Sequence, residues 1–104
     1  FKAGDLLQLE HVNSGTVAAV TSFTKLEANM SANAVYTNYV DAAMKQAGLG
    51  DAVWFSFAGN SYVVVESGTN NDTFDNGEDL AIELTGVANL NGASFNSDFG
   101  TIAL

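Results

Sequence analysis

The chain has 104 residues, 47% of them hydrophobic and 11% aromatic, which sets a single foldable domain. Three lysines, no arginine and twelve carboxylates leave a net charge of −9, which argues against nucleic acid and anionic membranes as partners. Cysteine is absent, so disulfides, thiolate metal sites and thiol nucleophiles are excluded, and no apolar run reaches the length of a transmembrane segment.

Phe1-Lys2-Ala3-Gly4-Asp5 is neither a secretory signal peptide nor a natural start, so the chain reads as a fragment of something longer. Residues 5–9, with Leu6, Leu7 and Leu9, predict a short strand. Asn13-Ser14-Gly15 marks a turn. Thr16 to Phe23 is β-prone with little pattern.

A helix follows. Ala32, Val35, Tyr36, Tyr39, Val40, Ala43, Met44 and Ala47 recur at the spacing of one apolar face. Ser31 is the expected N-cap, with Met30 stapled on Val35. Lys45 suits the last turn, and Gly48 suits a left-handed stop. A second start is a capping box from Thr24 to Glu27, which would lengthen the helix. The apolar stripe reads as core.

Val53-Trp54-Phe55-Ser56-Phe57 and Tyr62-Val63-Val64-Val65 predict a hairpin around a Gly59-Asn60 turn. That turn sets Phe57 opposite Tyr62 and Phe55 opposite Val64. One face then carries Val53, Phe55, Phe57, Tyr62 and Val64, and the helix is expected to pack there. Trp54 and its aromatic neighbours read as core at this spacing, ahead of a stacking platform for sugars or bases. Residues 67–79 predict a polar loop. Leu80, Ile82 and Leu84 alternate with Ala81, Glu83 and Thr85 as a third strand, which Thr85-Gly86 ends. Thr101-Ile102-Ala103-Leu104 predicts a short last strand. The fold class is therefore α+β: one amphipathic helix on a small antiparallel sheet built around a hairpin.

Five of the twelve carboxylates fall between Asp72 and Glu83. An EF-hand alignment with Gly77 at the sixth position puts Phe74 at the third, which cannot ligate calcium, and Glu83 in a strand. Two readings stay open. One is a solvated Asx-rich loop whose side chains cap their own turns. The other is a loose oxygen cage in which Asp72, Asp75, Glu78 and Asp79 hold calcium weakly. His11 is the single histidine and reads as a surface or turn residue, not as a zinc ligand or base. No nucleophile elbow, Walker loop or dinucleotide fingerprint is present, so no catalytic residue is assigned and the chain reads as non-enzymatic.

The run from Asp51 to Val65 resembles a hairpin near the C-terminus of RTX (repeats-in-toxin, hemolysin-type calcium-binding) proteins. That hairpin has a Trp-Phe-x-Phe strand, a Gly-Asn turn and a Tyr-Val-Val strand. The family's next loop and strand are similar to Thr73-Phe74-Asp75-Asn76-Gly77-Glu78-Asp79 and Leu84-Thr85-Gly86. Phe1-Lys2-Ala3-Gly4-Asp5-Leu6-Leu7-Gln8-Leu9 resembles the segment after the family's last calcium repeats. The resemblance implies type I secretion from a Gram-negative bacterium, with an extracellular or cell-surface destination. It implies an uncleaved signal at the C-terminus, where Asp98, Phe99, Ile102, Ala103 and Leu104 resemble the family's ending, interrupted by Gly100-Thr101. The implied partners are the type I secretion machinery and upstream RTX repeats of the same chain, with the module capping their β-roll. The glycine-aspartate nonapeptides themselves are missing from these residues, which puts any β-roll before Phe1. The other readings are a surface-layer or adhesin-type assembly module and, third, a small hydrolase. On this view residues 98–104 should be removable without unfolding the domain.

Overall fold

The computed structural model describes residues 4–13, 16–67 and 79–104. The central hairpin is built from β5 (Asp51–Phe57) and β6 (Asn60–Val65). Both strands are runs of Ala, Val and aromatic residues, and both are buried on their two faces, which explains why neither shows a clean alternation of apolar and polar residues. β7 (Leu80–Leu84) adds antiparallel to β6, and β4 (Ser22–Lys25) adds parallel to β5, giving the order β4-β5-β6-β7. The parallel step from β4 to β5 carries the one helix found among the described residues, α1 (Tyr36–Gln46). The protein is thus α+β, with mostly antiparallel pairing.

The two faces of this sheet hold two cores. On one face α1 lays Val40, Ala43 and Met44 over Val53, Phe55 and Val64, flanked by Tyr36, Tyr39, Phe57 and Tyr62. This is the predicted seat of the helix. Phe55 is 2% exposed, and replacing a buried phenylalanine by alanine costs about 3–5 kcal/mol. On the other face Ala52, Trp54, Val63, Val65 and Leu84 meet Leu9, Val20, Leu90 and Ile102. Trp54 is core, as its spacing predicted, but under this second layer and not under the helix; Lys25 Nζ lies 5.2 Å from its ring centroid.

The second layer is a three-stranded antiparallel sheet. Its order is β1 (Leu6–Gln8), β9 (Thr101–Ala103), β8 (Ser94–Asn96). Leu7, Ile102 and Phe95 share one inward row. Between β1 and β4 the chain makes a separate hairpin of β2 (Glu10–Asn13) and β3 (Thr16–Ala19). Its base is closed by the Val20 N–H donating to the Leu9 carbonyl at 3.1 Å.

Four expectations are corrected. The helix starts at Tyr36, not after Ser31, because the Asn38 side chain accepts the Val35 N–H at 3.0 Å and opens the first turn there. Ser31 caps a separate turn, with its Oγ accepting from the Asn33 N–H, and Val35 is 56% exposed, so it is no part of the buried stripe. Thr24 belongs to β4, which removes the longer helix. At the other end Lys45 does lie in the last turn, but Gly48 does not take a positive φ. The Asp51 carboxylate stops the helix instead, one oxygen accepting from Gly48 N–H at 2.8 Å and the other from Ser22 Oγ at 2.7 Å.

The hairpin register is the fourth. Phe55 faces Tyr62 and Phe57 faces Asn60, so the two-residue turn is Ala58-Gly59. Ala58 and Gly59 both carry positive φ, 52° and 85°, as a type I′ turn requires. The slip is two residues, so every side chain keeps its expected face.

Candidate functional site

The sequence pointed to two groups of residues, the acidic loop and the C-terminal segment. Asp72, Asp75 and Glu78 lie outside the described residues. Asp79 is described, and its Oδ1 accepts the Ser67 backbone N–H at 2.9 Å. This bond ties the two ends of the loop together beside Glu66, which is fully buried. Among the described residues no three His, Asp or Glu side chains are grouped to hold a metal ion.

The C-terminal segment divides in two. Asp98 and Phe99 are exposed, Phe99 at 62%. They sit in the turn between β8 and β9, where Asn96 Oδ1 accepts the Asp98 N–H at 2.9 Å. Ile102 is fully buried, at the centre of the second core. Ala103 pairs with Leu6 on one side and Ser94 on the other. Leu104 is half-buried, and its N–H donates to the Asp5 carbonyl at 2.9 Å while its carbonyl accepts from Gly4 N–H at 2.8 Å. β9 is thus the middle strand of its sheet, and the expectation that residues 98–104 contribute little to the fold is overturned. Removing them removes two ladders and a core residue.

His11 is also corrected. It is 8% exposed on β2, with its ring against Gly50. A Cβ at Gly50 would stand 2.7 Å from Nε2. His11 Nδ1 is buried with no hydrogen-bond partner among the described residues.

The sequence did not single out the arrangement beside the helix. Tyr36 and Tyr62 rings lie 4.9 Å apart, and Tyr62 stacks on Phe55 at 5.3 Å and 16°. The Tyr62 hydroxyl points at Glu83 Oε2, 3.4 Å away, and Thr85 Oγ1 donates to Glu83 Oε1 at 3.0 Å. Burial pushes the Tyr36 phenol above its ordinary value, with Tyr62 and Glu83 adding to the shift. Tyr62 is raised by desolvation and then by the Glu83 carboxylate, which disfavours a second negative charge. Next to these rings a groove of about 170 Å³ runs between α1 and β7, lined by Tyr36, Thr37, Val40, Asp41 and Ala81. The signal for it in the sequence is a small residue, Ala81, at a helix-facing position of an otherwise bulky strand.

No helix among the described residues is long and apolar enough to cross a membrane. No family model matches the chain, and no curated protein matches its sequence.

Proposed function

We propose that this chain is a non-enzymatic C-terminal module of an RTX-type secreted protein, capping an upstream β-roll and carrying a type I export signal. The observation that carries the reading is where the family-like residues fall. The string from Asp51 to Val65 makes β5 and β6, and the Leu84-Thr85-Gly86 string begins on the last residue of β7, the strand next to β6 in the same sheet. A repeat array ends in an unpaired edge, and a terminal unit that covers it prevents edge-to-edge aggregation. β1 suits that work, since it pairs with β9 on one side and with no strand on the other among the described residues. Calcium held weakly by Asp72, Asp75, Glu78 and Asp79 belongs to the same proposal.

The export signal changes character under this reading. Ile102, Ala103 and Leu104 are offered to a transporter only while the chain is unfolded, because folding builds Ile102 and Ala103 into β9 and ties the Leu104 backbone to Gly4 and Asp5. Asp98 and Phe99 are still exposed in the folded domain. The capping role is tested by joining glycine-aspartate repeats before Phe1 and following their calcium-driven folding by circular dichroism. Folding at lower calcium, without aggregation, is expected with the module attached. Equal calcium dependence with and without it removes the capping reading. Among the described residues β7 pairs with a strand on one side only, which favours a second reading, an assembly module.

A further inference from the structure

The helix covers β5 and β6 but not β7. Ala81 and Glu83 lie on the helix-side face, opposite Val64 and Tyr62, and both are exposed. The groove beside them, about 170 Å³, is smaller than the roughly 300–1,000 Å³ of small-molecule sites. It has room for one long side chain. Val40 and Ala81 give its lining an apolar part, and the exposed Asp41 adds a carboxylate to it. Glu83 follows Ala81 on the same face, two residues along β7. Among the described residues β7 pairs with β6 on one side and with no strand on the other.

We propose that β7 takes an added strand from a basic partner segment, and that a lysine of that strand seats its methylene stem in the groove with its ammonium between Asp41 and Glu83. Strand addition supplies main-chain hydrogen bonds for affinity and alternate side chains for specificity. A residue paired opposite Ala81 points its side chain to the helix side, directly over the groove. Lysine matches the lining because its stem is apolar and its head stays in water. The chain's net charge of −9 draws a basic segment in and repels an acidic one. Ala81 matters because any larger residue there closes the groove. This inference stands apart from the export reading.

The test is a titration of the isotope-labelled full chain with a blocked hexapeptide of alternating lysine and valine, followed by amide chemical shifts at low salt. Saturable shifts confined to residues 36–41 and 80–84 are expected. Ala81→Leu, which fills the groove, should weaken binding by about tenfold or more, and Thr37→Leu fills it from the helix side if the first variant folds poorly. The same peptide with glutamate for lysine should not bind. Shifts spread over the whole acidic surface, binding unchanged by both fillers, or no shift at roughly millimolar peptide would each overturn the proposal.

Discussion

Ile102 on β9 lies directly opposite Leu7 on β1, so the last strand of the chain is locked against the first. Phe95 on β8 faces Ile102 from the other side. The side chain is fully buried among Leu9, Val20, Trp54 and Leu90. Ile102→Ala should therefore cost about 2–5 kcal/mol, the range for a buried aliphatic truncation. Urea denaturation followed by tryptophan fluorescence reads it directly, since Trp54 shares that core. A loss under about 1 kcal/mol would place β9 outside the cooperative unit.

Gly50 is the second site where little can change. It holds a positive φ of 83°, and a Cβ there meets the His11 ring at 2.7 Å. Gly50→Ala combines backbone strain with overpacking, and should cost about 2–4 kcal/mol. The double variant with His11→Ala should recover part of that loss but not the strain. Full recovery would mean that the φ is adaptable.

The hairpin turn can be improved. Ala58 is the one non-glycine residue with positive φ among the described residues, at 52°. Asparagine tolerates that conformation far better, and Asn-Gly is the preferred type I′ pair. Ala58→Asn should raise stability by about 0.5–1 kcal/mol, seen as a higher melting temperature. A lower melting temperature would contradict the turn as described.

How much was legible follows from such local details. The hairpin, the helix seat, β7 and the final strand all showed in the sequence, because each depends on the spacing of large apolar residues. The register slipped because Gly59-Asn60 is a good turn pair on paper, while the folded chain accepts strain at Ala58 to pair Phe55 with Tyr62. β4 was obscured because Ser22, Thr24 and Lys25 surround a single apolar Phe23; its pairing with β5 is imposed by tertiary contacts. β8 is three residues long, with Phe95 alone pointing to the core. For the candidate sites, Asp98 and Phe99 are surface residues, but the burial of Ile102 and His11 depends on strands far away in sequence. The groove depends on what the helix leaves uncovered, and small Ala81 in a bulky strand is its local trace in the sequence.

The two tyrosines beside Glu83 give a pH signature. Both phenols are raised above the ordinary 10.0 in the folded protein, first by desolvation. Below pH 10 both states are protonated and the full stability is present. Above it the unfolded chain releases the protons first, binds fewer than the native state, and stability falls as pH rises through the folded values. Alkaline titration of phenolate absorbance should show two tyrosines ionising late, and Glu83→Gln should bring both down. An unchanged titration in Glu83→Gln would remove the carboxylate from the account.

The exposed half of the segment can be altered without touching the core, which separates export from folding. Residues 1–104 are fused to the C-terminus of a slow-folding passenger in a host carrying a type I transporter, and secreted passenger is quantified. Asp98→Asn with Phe99→Ser alters two surface side chains and should leave the melting temperature of the domain unchanged within a few degrees. The parent fusion should reach the medium, and the double variant should do so several-fold less. Export at the same level in both, from equally stable domains, would contradict the export reading.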